Sequence, residues 1–301
     1  MSGREVVVLG TASQVPTRSR SHHAALVRFD GHGILLDPGE GTQRQLTLAG
    51  VPVSSIDRIC ITHAHGDHCL GLRGVLQRLS LDGVTRPIDV HYPRAAEPYI
   101  RRLRHASAYE DVTDIRLHPT EPGPVSDAPP LQVRAAALSH AIPTLGWRLE
   151  EPPGRRFDAD RLVAAGVHGA ARRALAETGH LVVAGRTVHL HDVSHPRPRR
   201  SVAFVMDTRR CDGALELAER VDLLVIEATF LETERQLAED AGHLTAGQAA
   251  SIAREAGVGR VVLTHVSQRY PDPAGHLHEA RAAAPELDVH VAADLDRIPL
   301  G

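Results

Sequence analysis

The chain of 301 residues contains no lysine, so all 34 of its basic residues are arginine. Any phosphate it touches through a cationic side chain must therefore meet the planar, two-pronged guanidinium rather than a compact ammonium. Aromatic residues make up only 3% of the chain, which leaves valine, leucine, isoleucine and alanine to build the core. No run approaches the roughly twenty apolar residues that a membrane-crossing helix requires, so no membrane partner is expected. Three cysteines, Cys60, Cys69 and Cys211, cannot form a framework of paired disulfides. Cys60 and Cys69 read as small buried hydrophobes. The first five residues lead straight into the strand-like run Val6–Leu9, without a signal-peptide pattern. These features together predict a cytoplasmic protein. The net charge of −3 gives no global sign of nucleic-acid binding; such contacts would have to come from local basic patches.

One stretch concentrates the chemistry: Thr62-His63-Ala64-His65-Gly66-Asp67-His68. Before it, Arg58–Ile61 has the character of a short buried strand, and after it Leu70–Leu79 carries apolar residues at helical spacing. Three imidazoles and a carboxylate are thereby expected on a tight strand-to-helix loop, with Gly66 permitting the bend. Neutral imidazole and carboxylate suit zinc, or manganese as a harder alternative. His63 and His65 can converge on one ion, while Asp67 and His68, displaced around the turn, point at a second. The chain holds 20 histidines, so a pair alone would carry no weight. The order H-x-H-x-D-H between a strand and a helix does.

Further donors recur in the same setting. Strands read at Leu131–Leu138, Ser201–Met206, Asp222–Ile226 and Arg260–Leu263 are followed at once by His140, Asp207, Glu227 and His265. Asp37 ends Gly33–Asp37, the third N-terminal strand after Val6–Leu9 and Ala24–Phe29. Strands that all empty reactive groups at one rim describe a sheet scaffold with a single site on its loops. A lone histidine after a strand is usually structural, but His140 is the natural third ligand for the first ion, because the loop supplies too few donors. Asp207, at a strand tip, is placed to bridge two cations. Asp37 reads either as an acceptor for a metal-bound histidine or as a plain cap or turn residue.

Helices are expected from about Gln43 to Ala49, at Ala95–Arg104, near Leu231–Glu239, at Ala246–Ala256 with Thr245 as N-cap, and near His276–Ala284. Strands are expected near Ile88–Tyr92 and Asp288–Ala292. Pro119–Pro130, with five prolines, reads as a surface connection. From about Leu149 to Arg200 the regular pattern breaks around Pro152-Pro153-Gly154, with helical patches at Ala159–Ala165 and Gly169–Ala176 and a short strand at Arg186–Leu190. Nine arginines stand there against six carboxylates, so the segment is net basic inside an acidic chain. It reads equally as a solvated insertion or as an arm that reaches a phosphate backbone.

From about Val6 to Arg297 the chain resembles ribonuclease Z, the tRNA 3′-processing endonuclease family of the metallo-β-lactamase fold. The resemblance rests on Thr62–His68, His140, Asp207 and His265, and more specifically on Pro16–Arg20, Asp37–Gln43, Glu227-Ala228-Thr229, Gly242–Thr245 and Thr264–Tyr270. It implies one α/β domain spanning residues 1–301, an αββα sandwich with a protruding tRNA-binding arm inserted at about 149–200. It implies two zinc ions per subunit, with manganese possible: one on His63, His65 and His140, the other on Asp67, His68 and His265, with Asp207 bridging. Asp67 would accept the proton of the attacking water, and His243, oriented by Glu227, would protonate the leaving 3′-oxygen of precursor tRNA. RNA contacts are expected from Arg18 and Arg20 in the N-terminal loop and Arg172 and Arg173 in the arm. A homodimer is implied, one subunit's arm holding tRNA for the other's site. The alternative is a metallo-phosphodiesterase of the same fold acting on small or cyclic diesters. Three positions depart from the family pattern: Ile226 replaces a histidine, Leu244 replaces a serine, and Gly169-Ala170 stands where the arm has a Gly-Pro pair.

Overall fold

The computed structural model describes residues 3–127 and 130–300. The chain opens with β1 (Glu5–Gly10), β2 (Ala24–Phe29), β3 (His32–Leu36), β4 (Ile56–Cys60), β5 (Ile88–Pro93) and β6 (Ile115–Thr120). Next come β7 (Gly123–Ser126), β8 (Gln132–Leu138) and β9 (Thr144–Glu150), then the short β10 (Arg155–Phe157), β11 (His180–Val183), β12 (Arg186–His189) and β13 (Ser194–Pro196). It closes with β14 (Ser201–Val205), β15 (Leu223–Glu227), β16 (Arg260–Thr264), β17 (Asp288–Val291) and β18 (Arg297–Pro299). One seven-stranded sheet has the order β18-β1-β2-β3-β4-β5-β6, and a second the order β17-β16-β15-β14-β9-β8-β7.

Both faces of each sheet are covered, which is why the strands read as continuous apolar runs rather than as alternating ones. In β1, Val6 and Val8 point into the layer between the sheets, while Val7 and Leu9 face outward. The outer face of the first sheet packs against helices Thr42–Leu48, Leu72–Leu81 and Glu97–Arg104. The second sheet packs against Asp212–Ala218, Ala246–Glu255 and Ala274–Ala283. The result is the expected αββα sandwich. Three of the scarce aromatics, Phe29, Trp147 and Phe204, are buried between the sheets.

Several local expectations need correction. Gly66–Cys69 is a turn of helix rather than loop, and the helix expected at Leu70–Leu79 runs Leu72–Leu81. Pro119–Pro130 is not merely a connection, since it holds the end of β6 and all of β7, each an edge strand of its sheet. Proline is tolerated at such edges because no neighbour needs its missing N–H. Residues 128 and 129 of that segment lie outside the described residues. Trp147 belongs to β9, which the sequence reading passed over. The hairpin β11–β12 turns through Ala184-Gly185, both with positive φ (49° and 78°). That backbone fits a primed turn, but Ala-Gly lacks the asparagine or aspartate that signals one.

The chain forms two compact units: Glu151–Arg199, and the remainder on either side of it. The smaller unit has its own apolar centre of Leu162, Val167, Leu175 and Val193. The junctions with the larger unit are neighbours there, because Glu150 of β9 pairs in register with Ser201 of β14.

The strand ends and the following helix meet through close backbone packing. Gly71 donates its N–H to the Pro38 carbonyl at 2.9 Å, and a Cβ on Gly71 would collide with the Gly39 carbonyl. Gly71→Ala is accordingly expected to lower stability by about 1–3 kcal/mol, the usual cost of overpacking. Urea unfolding measures this, and an unchanged midpoint would contradict the close approach.

Candidate metal centre

The carboxyl ends of β3, β4, β8, β14, β15 and β16 meet at one rim, and every donor expected from the sequence is found there. Asp37 follows β3, His63–His68 follow β4, and His140 follows β8; Asp207 follows β14, Glu227 ends β15, and His265 follows β16. Ligand atoms of His63, His65, His140 and Asp207 all lie within 4.8 Å of one another, as do those of Asp67, His68 and His265. Asp207 spans the two groups. Its Oδ2 lies 3.5 Å from His63 Nε2 and 3.8 Å from His140 Nε2, and its Oδ1 lies 3.3 Å from both His68 Nε2 and His265 Nε2. Asp67 Oδ2 is 3.4 Å from His68 Nε2 and 3.5 Å from His265 Nε2.

The hydrogen bonds behind these groups settle which ring atoms face inward. Asp37 is fully buried; its Oδ1 accepts the Thr62 N–H (2.6 Å) and its Oδ2 the Thr62 hydroxyl (2.7 Å). With that hydroxyl proton committed, Thr62 Oγ1 accepts from His63 Nδ1 at 3.0 Å. Asp37 Oδ2 also accepts from His68 Nδ1 at 2.9 Å. Across the rim Glu227, equally buried, accepts the Thr229 hydroxyl at 2.6 Å, and Thr229 Oγ1 accepts from His265 Nδ1 at 3.0 Å. His140 Nδ1 donates to the Gly242 carbonyl at 2.9 Å. Four imidazoles thus spend their Nδ1 protons outward and turn Nε2 lone pairs inward, as metal-binding histidines do.

Those inward atoms crowd one another. His68 Nε2 faces His265 Nε2 at 3.1 Å, and His65 Nδ1 faces both His63 Nε2 (2.9 Å) and His140 Nε2 (3.3 Å). Asp207 Oδ1 is buried without a hydrogen-bond partner. Ring nitrogens crowded around a buried carboxylate oxygen fit bound cations; burial opposes a charge on His68, but Asp207, Asp67 and Asp37 raise its pKa well above the ordinary imidazole value, so a cation bound there displaces a proton. Burial keeps His63, His65 and His140 below the ordinary imidazole pKa, hence neutral and able to ligate. Burial opposes ionisation of Asp67 and Asp207, but the neighbouring His68 and His265 hold both well below the usual carboxylate range. The residues fit two divalent ions sharing Asp207.

Backbone strain accompanies the site. Asp37, Asp207 and His265 have φ of 46°, 53° and 60°, in the left-handed region that side chains other than glycine's seldom occupy.

His243 lies beside the metal ligands. Its Nδ1 is 3.0 Å from Glu227 Oε1, and its ring lines a cavity of about 510 Å³ together with Asp67, His140, Asp207, Phe230 and Arg269. Glu227 is held further by the N–H groups of Thr208 (2.7 Å) and Leu244 (3.2 Å). Burial works against a charge on His243, but Glu227 and Asp207 raise its pKa to about 9. Of the expected RNA contacts, Arg18, Arg172 and Arg173 are exposed, and Arg173 pairs with Glu177 at 2.8 Å. Arg20 is a correction. It is buried, and its Nη2 donates to the carbonyls of Ser267 (3.1 Å) and Tyr270 (2.9 Å), so it braces the loop after His265 from beneath. Cys69 packs into the outer core and not against the donors. Ile226 and Leu244 are both buried in the core behind the second sheet, and neither lines the cavity. The sequence reading gave Thr62, Thr229 and the Gly242 carbonyl no part in the site. Their only signal is a hydroxyl or carbonyl one or two positions from a predicted ligand or its carboxylate.

Residues 18–229 match the metallo-β-lactamase superfamily, the class that this sandwich and rim define. The chain is 54% identical over 303 residues to ribonuclease Z of Nocardia farcinica, covering 100% of this chain and 99% of the relative. It is 42% identical to ribonuclease Z of Protochlamydia amoebophila, covering 99% and 97%. Among solved structures, the short form of human tRNase Z superposes with a TM-score of 0.71 at 26% identity, covering 99% of both chains. The chain belongs to the ribonuclease Z family.

Asp37 supports both ligand groups at once, so its charge is expected to matter more than its volume. Asp37→Asn, which tolerates the same backbone, should weaken divalent-ion binding about 10–100-fold, the usual scale for such partners. Chelator competition measures this, and unaltered affinity would remove Asp37 from the site.

Proposed function

We infer that this protein is a metal-dependent endoribonuclease that removes the 3′ trailer from precursor tRNA and leaves a 3′-hydroxyl. The observation that carries this reading is the pair of histidine–carboxylate groups sharing Asp207, in a chain similar over its whole length to ribonuclease Z. Two bound ions would supply a hydroxide nucleophile and polarise the phosphodiester. His63, His65, His140 and Asp207 would hold one; Asp67, His68, His265 and Asp207 the other. The borderline nitrogen and oxygen donors favour zinc, with manganese as a substitute. Asp67, kept ionised, accepts the proton of the attacking water. His243, kept protonated by Glu227, donates a proton from Nε2 to the departing 3′-oxygen.

The unit Glu151–Arg199 is the proposed tRNA-binding arm, with Arg172 and Arg173 exposed on helix Ala170–Thr178. The exposed pair between Arg173 and Glu177 contributes little and exchanges readily for a phosphate contact. No helix among the described residues is long and apolar enough to cross a membrane, and the reading places the enzyme in the cytoplasm as a homodimer.

A trailer-bearing precursor tRNA incubated with the protein and zinc or manganese should be cut beside the discriminator base. Failure with every metal tried would end the proposal. His243→Ala should lose about 10²–10⁴ in turnover with metal content unchanged, the scale of a lost general acid. The proton on His243 is present below its raised pKa and lost as pH rises through it, which sets the falling limb of the rate profile. Glu227→Gln removes the group that raises that pKa, so the limb should move to lower pH. A limb that stays in place would exclude this acid. Replacing Glu151–Arg199 by a short turn should abolish tRNA cleavage and spare hydrolysis of bis(p-nitrophenyl) phosphate. Equal loss of both activities would remove the arm's role.

A further inference from the structure

His243 does not follow a strand as the metal ligands do. It closes an excursion of the chain that leaves β15, runs through helix Arg235–Ala241 and returns at Thr245. The base of the excursion is joined, because Phe230 donates its N–H to the Leu244 carbonyl (3.2 Å) and accepts from Ala246 (2.9 Å). Its first part is anchored by side chains: the Tyr270 hydroxyl accepts the Leu231 N–H at 3.1 Å, and Glu279 accepts the Glu232 N–H at 2.7 Å. The helix itself buries only Ala238, so apolar packing does little to fix where its far end, and with it His243, comes to lie.

Arg209 fixes that end instead. The chain turns left-handed at Gly242 (φ 81°), which ends the helix and leaves its last carbonyls short of partners. Arg209 meets two of them, donating from Nε to the Glu239 carbonyl at 2.7 Å and from Nη2 to the Asp240 carbonyl at 3.4 Å. A Cβ on Gly242 would lie 2.8 Å from His140 Nδ1 and 3.3 Å from Arg209 Nη1, so the guanidinium and the ligand ring both abut this residue. Arg209 is itself tied to the metal rim. It stands two residues after Asp207, its N–H donates to the Ser139 carbonyl (2.8 Å), and Ser139 donates its own N–H to Thr208 Oγ1 (3.0 Å). One side chain thus runs from the paired segments that carry Asp207 and His140 to the segment that carries His243.

We propose that Arg209 is a positioning residue for precursor cleavage: it pins the end of helix Arg235–Ala241 to the metal rim and so sets where the His243 ring stands relative to the scissile phosphodiester. This rests on the reading of His243 as the proton donor. Glu227 fixes how the ring is turned, through Nδ1, and Arg209 fixes where its backbone lies. The proton passes from His243 to the 3′-oxygen as the bond between that oxygen and phosphorus breaks; Arg209 touches neither atom. The planar guanidinium suits the task because it reaches two neighbouring carbonyls at once, which an ammonium does not.

The test is cleavage of precursor tRNA by the metal-loaded full-length protein, with either oxygen or sulfur as the departing 3′ atom. A thiolate leaves without a proton, so only the oxygen substrate needs the donor. Arg209→Gln should lower kcat on the oxygen substrate about 10–100-fold, the scale of a misplaced group, with KM and metal content unchanged. On the sulfur substrate the loss should stay below about threefold, because no proton is awaited there. Added to His243→Ala, the same change should cost nothing further, since both act on one step. Arg209→Lys keeps the charge and reaches one carbonyl, so its loss should be smaller and again confined to oxygen; it carries the test if Arg209→Gln does not fold. Equal slowing of both substrates would show that Arg209 serves the metals or the fold, and would overturn the proposal. So would a rise in KM alone, which would make Arg209 an RNA contact, or undiminished cleavage. His243→Ala run in parallel separates the two readings. If it slows both substrates equally, the proton-donor reading falls and this proposal with it; if it is selective and Arg209→Gln is not, only the role of Arg209 falls.

Discussion

Two buried carboxylates, Asp37 from the first sheet and Glu227 from the second, hold the rest of the rim in place. Each lies at the carboxyl end of a strand, each accepts a threonine hydroxyl, and each threonine then accepts from a histidine that faces inward. Carboxylate, threonine and histidine make a short chain in which only one direction of proton donation is possible. That direction decides which nitrogen of His63 and of His265 is left bare. Loss of either carboxylate would free a hydroxyl proton and the orientation of a ring together, so ligand geometry depends on groups that never touch an ion.

The same two carboxylates have different second duties. Asp37 adds a direct bond to His68 and so serves both ligand groups. Glu227 adds a direct bond to His243 and keeps a proton on a ring surrounded by neutral or ligating histidines. Environment thus separates the neutral ligands His63, His65 and His140 from His243, which Glu227 keeps protonated.

Much of this was legible in the sequence, for reasons that have physical content. Strands buried on both faces read as unbroken apolar runs, so β1, β2, β14, β15 and β16 stood out, and the donors just beyond several of these strands marked the rim. What stayed hidden depends on contacts distant in the chain. Nothing near Arg20 shows that its guanidinium is needed under the loop at Ser267 and Tyr270. Nothing in Pro119–Pro130 shows that Pro119 and Pro124 fall on edge strands, where a missing N–H costs little. Trp147 lies within β9, just ahead of the irregular insertion, and its strand character comes from pairing with Ala135 and Phe204 on either side. Ile226 and Leu244, which depart from the family pattern, both lie in the core behind the second sheet, a placement that the pattern alone does not reveal.

The positive φ angles at Asp37, Asp207 and His265 have a consequence for how such a protein can be altered. A residue held in that region costs of order 1–3 kcal/mol, and glycine would relieve much of it. A library screened for heat tolerance alone would therefore drift toward glycine at Asp207, whose buried Oδ1 has no hydrogen-bond partner to lose, and away from it at Asp37 and His265, whose buried hydrogen bonds outweigh the strain. Any thermostabilised descendant worth keeping has to be selected with turnover in view.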